Sequence, residues 1–173
     1  GDDAAELPAL RLSILPAESE VSGPAISPDG RRIAYSARGT DGPPMIWVRD
    51  LDQSVARSLA GTDDGREPFW SPDGRHIGFL TSDMIVKRVP AGGGPVQEVV
   101  RDATRGGAWG PGDVILYSQH ETTIMQVPAG GGAPSAVTTR SGDDWVHMWP
   151  SVLPDGRRFL FTAKQWTGVT ESS

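Results

Sequence analysis

The residues with the most obvious chemical potential are two pairs of adjacent aspartates and three scattered histidines. Asp63 with Asp64, and Asp143 with Asp144, could offer oxygen ligands to calcium, but neither pair begins the spaced loop ending in Glu that an EF-hand requires. No two histidines have the His-Glu-x-x-His spacing of zinc peptidases. Turn-forming Asp is the stronger interpretation of the pairs, and we expect no metal or other cofactor. The histidines are His76, His120 and His147.

Signatures of catalysis are also missing from the sequence. The runs "AGGGP" and "AGGGA" could suggest a phosphate cradle, but no Gly-Lys-Ser/Thr follows either run and neither precedes a helix pattern. There is no Gly-x-Ser-x-Gly nucleophile elbow. Cysteine is absent, which excludes thiolate nucleophiles and Cys-based zinc sites. We therefore expect a chain that is not an enzyme.

The composition describes a folded chain that is rich in turns. Of its 173 residues 37% are hydrophobic and 22% are charged, and 22 Gly and 15 Pro favour short strands joined by tight turns. The net charge of -6 argues against a nucleic-acid binder, which needs a basic surface to neutralise phosphates, and against anionic membrane surfaces. No apolar run approaches the roughly 20 residues that span a bilayer, so we expect no membrane insertion in this segment.

A short motif is written four times along the chain. The copies are "PAISPDGRRIAYS" from Pro24, "PFWSPDGRHIGFL" from Pro68, "GAWGPGDVILYS" from Gly107 and "PSVLPDGRRFLFT" from Pro150. Their turn prolines, 44, 39 and 43 residues apart, have the spacing of propeller blades and other repeat arrays. The turn prolines are Pro28, Pro72, Pro111 and Pro154. The third copy lacks one residue, so its turn is expected to be tighter or shifted.

Each repeat reads as four strands joined by tight turns. In "SPDG", Pro presets φ, Asp bonds the nearby backbone and Gly accepts positive φ, and "PAGGG" makes a second turn between the third and fourth strands. Such a sheet cannot bury both faces alone, and radial stacking makes a β-propeller. The predicted fold is all-β, a single propeller domain over 1–173 with antiparallel four-stranded blades. Its predicted parts are an N-terminal strand at 10–16, blades at 24–66, 68–105 and 107–147, and a partial blade at 150–173.

The pattern "PxWSPDGxxIxF" followed by "IxxxxxxGG" resembles the WD40-like repeat of the TolB β-propeller group. The group includes the periplasmic TolB component of bacterial Tol systems, and similar blades occur in peptidase propellers and in extracytoplasmic parts of bacterial kinases. The resemblance spans residues 24–166. It implies a propeller and an extracytoplasmic place in a bacterium, but its motif residues are turn and core residues, which do not define a function.

Three explanations compete for the incomplete fourth repeat. The chain could be a fragment of a longer product, could close as a small ring with its N-terminal strand, or could form a homodimer in which each N-terminal strand completes the partner's last blade. We favour a fragment as the origin and self-association as the structural consequence. Self-association would also cover sheet edges that otherwise invite aggregation.

Antiparallel blades place short turns on one face and the longer, more varied loops on the other. The loops at 37–44, 61–67, 101–107, 118–123 and 139–149 carry charged and aromatic residues, so we expect the binding site there. The predicted contacts are Asp63, Asp64, Arg66, Arg105, Asp143, Asp144, Trp145 and His147. Trp70, Trp109 and Trp149 recur near the inner strands and are expected in the core between blades.

The leading hypothesis is a non-catalytic propeller that binds a protein or peptide through this loop face. A second hypothesis is the gating propeller of a peptidase whose catalytic domain is absent from these residues. A third is a propeller that binds a small molecule or a metal. Neighbouring sequence with a nucleophile elbow would favour the second, and melting temperatures with calcium, chelator and ligands would test the third.

Overall fold

In a computed structural model, the described residues, 21–39, 42–119, 123–139 and 145–165, form β-strands, turns and loops without a helix. Frequent glycine and proline turns interrupt runs of alternating apolar residues, which keeps the strands short. The strands are β1 (Val21–Ile26), β2 (Arg32–Arg38), β3 (Pro44–Asp50), β4 (Arg57–Ser58), β5 (Arg66–Trp70), β6 (His76–Leu80), β7 (Ile85–Pro90), β8 (Gln97–Arg101), β9 (Ala103–Gly110), β10 (Val114–Gln119), β11 (Ile124–Pro128), β12 (Ser135–Ala136), β13 (Trp145–Val152) and β14 (Phe159–Gln165).

These strands form four consecutive antiparallel sheets, which we number as blades 1 to 4. Three sheets have the order β1-β2-β3-β4, β5-β6-β7-β8 and β9-β10-β11-β12, and the last contains β13 and β14. The innermost strands pack side by side in the order β1, β5, β9, β13. The predicted all-β architecture of four-stranded blades is confirmed. The predicted strand at 10–16 and the end of the partial blade, 166–173, lie outside the described residues.

The turns have the chemistry that the motif predicts. In blade 2, Gly74 donates its backbone N–H to Ser71 O at 2.9 Å, and the Ser71 hydroxyl bonds Asp73 at 2.6 Å. Asp73 also accepts the backbone N–H of Arg75 at 3.0 Å. The side-chain bond from Ser71 and the backbone bond from Arg75 together hold the pKa of Asp73 below its usual value. Asp29 and Asp155 have lowered pKa values for the same kind of reason.

The turn of the third repeat is built differently, as its missing residue predicts. Gly112 and Asp113 both have positive φ, 74° and 60°. Asp113 accepts the indole N–H of Trp109 at 3.0 Å, and its backbone oxygen accepts the N–H of Ala129 at 2.8 Å. The Asp113 side chain therefore bonds the inner strand of its own blade instead of stabilising an SPDG turn.

The core lies between blades, and the second strands of blades 2 and 3 direct alternate side chains to the blades on either side. Ile77 and Phe79 join the cluster with blade 1, whereas Leu80 joins the cluster with blade 3. Ile115 and Tyr117 of blade 3 in turn pack against blade 2. This follows from the two-residue period of a strand, and it explains why the motif needs apolar residues on both faces.

Phe69 occupies a gap that two glycines leave open. A Cβ at Gly78 would lie 2.2 Å from the Phe69 ring, and a Cβ at Gly107 would lie 2.1 Å from it. The ring also meets Trp109 edge to face, with centroids 6.5 Å apart. The close packing of blades 2 and 3 thus depends on glycine in two different strands.

Each innermost strand contains a β-bulge at the same position. The pairing register shifts there in all four blades, and the residue five positions before the turn proline has positive φ. These bulge residues are Gly23 (59°), Glu67 (46°), Gly106 (62°) and Trp149 (51°). A bulge bends its strand and redirects the adjacent side chains, so the four bulges shape the inner edge of the loop face.

Candidate functional site

The candidate site is the inner edge of the loop face, where the bulges lie. We define the rim as the bulge residue and the residue before it in each innermost strand. In blade 2 these two residues, Arg66 and Glu67, are exposed, while Pro68 to Trp70 are buried. The bulge therefore separates a buried inner strand from a pair of side chains that reach solvent. The rim residues are Ser22, Gly23, Arg66, Glu67, Arg105, Gly106, Met148 and Trp149.

Asp64 and Arg66, two of the residues predicted from the sequence, contact each other. Their side chains form a salt bridge of 2.8 Å, and Asp64 also accepts bonds from the backbone N–H of Ser82 at 2.8 Å and from the Ser82 hydroxyl. Partial burial raises the pKa of Asp64 most strongly, but the bonds from Arg66 and Ser82 and the charges of Arg66 and Arg38 outweigh it and leave the pKa lowered. Asp64 thus ties the loop after β4 to the loop between β6 and β7.

Arg105 has a different partner. Its guanidinium carbon lies 5.9 Å from the centroid of the Trp149 ring, within the range of a cation–π contact. Arg105 is exposed, and Trp149 has 46% of its surface exposed. The two side chains bring the rims of blades 3 and 4 together.

Glu67 connects the rims of blades 2 and 3. Its Oε2 accepts the backbone N–H of Gly106 at 2.6 Å, and Gly106 is the residue that follows Arg105. A carboxylate bonded to a backbone N–H is a strong type of hydrogen bond. Glu67 therefore fixes the bulge that carries Arg105.

His147, a predicted contact, is largely buried, with 7% of its surface exposed. Its Nδ1 lies 2.8 Å from the Thr138 hydroxyl, which also accepts the backbone N–H of Ile124. Because that hydroxyl accepts from Ile124, its own proton can be donated to Nδ1. The ring centroid lies 4.6 Å from that of Phe161. These contacts give His147 a structural role at the blade 3 to blade 4 junction.

The other predicted residues are placed less fully. Asp63 is exposed in the connection from β4 to β5. Asp143 and Asp144 lie outside the described residues, and so does the side chain of Trp145, whose backbone begins β13. Any binding role of these residues stays a prediction.

The expectation for the recurring tryptophans is right for two and wrong for the third. Trp70 and Trp109 are buried, with 7% and 6% of their surfaces exposed, whereas Trp149 is 46% exposed. Trp70 and Trp109 stand two residues before their turn prolines, but Trp149 stands five residues before Pro154. Trp149 therefore stands at the same repeat position as Glu67, five residues before the turn proline. Counting back from the turn proline would have identified Trp149 as a rim residue.

Three further features could indicate other functions: metal-binding clusters, membrane-spanning helices and clefts. Among residues 21–39, 42–119, 123–139 and 145–165 no group of three or more His, Cys, Asp or Glu side chains could hold a metal ion. No helix in the same ranges is long and apolar enough to cross a membrane. An open cleft of about 170 Å³ lies between blades 3 and 4 near Leu116, Val152 and Phe159. Its lining combines apolar residues with Gln126, Arg157 and Arg158.

Two curated proteins are similar to this chain in sequence. The Tol-Pal system protein TolB of Alcanivorax borkumensis is 34% identical over 73 residues, which covers 40% of this chain and 16% of that protein. An uncharacterised protein of Agrobacterium fabrum is 27% identical over 157 residues, 78% of this chain and 52% of that protein. The chain therefore spans about half the length, or less, of the curated proteins it matches. No protein-family model matches it.

Solved structures show the same fold. A TolB-type protein from Agrobacterium tumefaciens superposes with a TM-score of 0.74 at 18% identity, covering 84% of this chain and 55% of that one. TolB from Acinetobacter baumannii gives 0.72 at 18% identity, covering 86% and 39%. A puromycin hydrolase gives 0.63 at 18% identity, covering 84% and 25%. The fold is that of TolB-type β-propellers, as the repeat motif predicts.

Proposed function

We propose that this chain is a non-catalytic propeller module that binds a protein or peptide through its loop face. One observation carries the proposal: the rim has a different residue pair in every blade, Ser-Gly, Arg-Glu, Arg-Gly and Met-Trp, while three of the four blades repeat nearly the same turn on the opposite face. A rigid scaffold that presents varied side chains on one face is the usual arrangement of a binding site. The likeness to TolB of the Tol-Pal system supports the same class of function.

The likeness to TolB also supports a place outside the cytoplasm of a bacterium. In this proposal the module works as a periplasmic Tol-type component or as the sensor region of an extracytoplasmic protein. Fusions of this chain, in the natural gene context, to one reporter enzyme that functions only in the periplasm and one that functions only in the cytoplasm test the location. Activity confined to the cytoplasmic side would contradict it.

The binding proposal is tested by selecting ligands from a displayed library of random peptides and mapping each selected peptide by amide hydrogen exchange. We expect protection in the loops between β2 and β3, β4 and β5, and β8 and β9. Asp63→Asn should lower the affinity for a selected peptide that contacts the loop face. Asp52→Asn is an equal charge change at an exposed position of the turn face and should leave the affinity unchanged. Protection confined to the turn face, or no selected ligand at all, would contradict the proposal.

A gating propeller of a peptidase is the second candidate, and the likeness to the puromycin hydrolase favours it. In that case the loop face or the turn face would contact a catalytic domain rather than a separate partner. Sequencing the gene on both sides of these 173 residues distinguishes the two candidates. A nucleophile elbow in the adjacent coding sequence would favour the peptidase.

Self-association remains a further proposal for this module. Within the described residues β14 pairs only with β13, and Leu160 and Phe161 on β14 are 61% and 39% exposed. An unpaired edge strand with exposed apolar side chains favours pairing with another strand. Light scattering over a range of concentrations should give the mass of a dimer, and a constant monomer mass would exclude ring completion between two copies.

A further inference from the structure

Trp149 is held at the rim by its backbone and not by burial in the core. Its φ of 51° lies in the left-handed region, which is unusual for an aromatic residue. Blades 1 and 3 have glycine at this position, which adopts that conformation without steric cost. Bulky residues persist in strained conformations mainly where the surrounding structure enforces them, and such positions are concentrated at functional sites. Nearly half of the surface of Trp149 nevertheless remains exposed.

Arg105 supplies a charge beside this indole. Arg66 occupies the same position in blade 2, but its guanidinium is paired with Asp64. Arg105 makes no hydrogen bond or ion pair with the described residues, and its guanidinium contacts the Trp149 ring. Its donors are therefore available to a ligand, and the cation–π contact favours a position of the guanidinium beside the ring.

Glu67 positions this pair from the neighbouring blade. Its bond to the Gly106 N–H fixes the bulge next to Arg105. On the other side, a Cβ at Gly106 would lie only 2.8 Å from the Trp149 Cα, so the rims of blades 3 and 4 touch through their backbones. The backbones that carry the cation and the indole are thus held next to each other by contacts between strands.

From these contacts we propose that Trp149 and Arg105 form a binding site for an acidic peptide segment. The Arg105 guanidinium pairs with a carboxylate of the peptide, and the exposed part of the Trp149 indole packs against an adjacent apolar or aromatic side chain. Arg donates to carboxylates with matching geometry, and Trp and Arg dominate the energetics of many interfaces. This inference rests on the proposed function and names the class of ligand that the face takes.

The test uses end-capped peptides in which Phe-Asp stands between Gly and Ser residues, with Phe-Asn and Ala-Asp peptides as controls. Binding is followed by NMR titration of the labelled chain, including the indole N–H signal that disappears in Trp149→Gly. We expect the Phe-Asp peptide to shift that signal and the amides of the blade 3 and 4 rims. Arg105→Gln should lower the affinity for the Phe-Asp peptide about fivefold and the affinity for the Phe-Asn peptide by less than about twofold.

Matched variants separate binding from folding. Glycine readily adopts the backbone conformation of position 149, so the Trp149→Gly variant should stay folded. Its affinity for the Phe-Asp peptide should be about tenfold lower. Trp149→Tyr, which keeps a flat ring, should retain part of the affinity. Arg75→Gln removes an exposed arginine from the turn face and should change nothing.

The outcomes also separate this inference from the proposed function. If peptides from the displayed library protect the loop face but bind equally well to Arg105→Gln and Trp149→Gly, the acidic-peptide site is wrong and the binding module stands. If the Phe-Asn peptide binds as tightly as Phe-Asp, the role of the carboxylate is wrong. If no peptide protects the loop face, both proposals fail.

Discussion

Alternate blades have different kinds of residue at the positive-φ bulge position of the rim. Blades 1 and 3 place glycine at the left-handed bulge position, Gly23 and Gly106, whereas blades 2 and 4 place Glu67 and Trp149 there. The glycines also make room, because a Cβ at Gly23 or Gly106 would lie 3.2 or 2.8 Å from the Cα of the next blade's bulge residue. Glycine in blades 1 and 3 therefore satisfies a steric requirement. A side chain larger than glycine in the same backbone conformation, as at Glu67 and Trp149, indicates that the side chain has a role of its own.

The largest effect should come from adding a methyl group where the rim is most crowded. Gly106→Ala combines a disfavoured φ with overlap against the Trp149 Cα, so we expect the free energy of unfolding to fall by about 3 kcal/mol. Urea denaturation measures this change. Gly30→Ala is the matched control, since Gly30 has a φ of 69° but nothing within 4 Å of the added Cβ, and it should cost only about 1 kcal/mol. Equal costs at the two positions would show that crowding at the rim is unimportant.

The next effect concerns the link between blades 2 and 3. Glu67→Ala removes the acceptor of the Gly106 N–H, and we expect the free energy of unfolding to fall by about 1.5 kcal/mol. Glu67→Gln keeps an acceptor oxygen and should cost less than about half of that. Denaturation of both variants, with hydrogen exchange of the Gly106 amide, checks the assignment. An amide that exchanges no faster in Glu67→Ala would contradict it.

A smaller effect isolates the backbone strain at Trp149. Trp149→Ala and Trp149→Gly both lose the indole, but only glycine adopts the φ of 51° freely. The glycine variant should therefore be more stable than the alanine variant by about 1 kcal/mol in thermal or urea unfolding. In ordinary strand positions the order is reversed, because glycine there is destabilising relative to alanine. An alanine variant as stable as the glycine variant would mean that position 149 is not strained.

The smallest expected effect is a change in the pH dependence of stability, and it concerns the turn face, where aspartate carboxylates bond the backbone. The folded-state pKa of Asp73 is lowered, so its contribution to stability is present above the unfolded value near 3.8 and is lost as pH falls through the lower folded value. Asp73→Asn should therefore narrow the difference in melting temperature between pH 6 and pH 3. Asp29→Asn should narrow the difference in the same way, because bonds from Ser27 and Arg31 lower the pKa of Asp29. A difference that Asp73→Asn leaves unchanged would contradict the prediction.

Local patterns in the sequence predict the repeat, the turn chemistry and the sorting of loops to one face. These features depend on local rules: Pro, Asp and Gly define a turn within four residues, and apolar residues at two-residue spacing define a buried strand. The buried state of Trp70 and Trp109 follows from their place two residues before the turn proline. The same local rules identified Arg105 as a loop-face residue but could not identify its partner.

Which of the loop-face residues contact each other depends on packing between blades. Asp64 pairs with Arg66 and Ser82, His147 is buried against Thr138, and Arg105 meets Trp149, a residue expected in the core. Glu67 and Gly106 meet across 39 positions of sequence. Such contacts depend on how far each strand is bent by its bulge and how closely adjacent blades approach, and both are set by packing between strands that are distant in the chain.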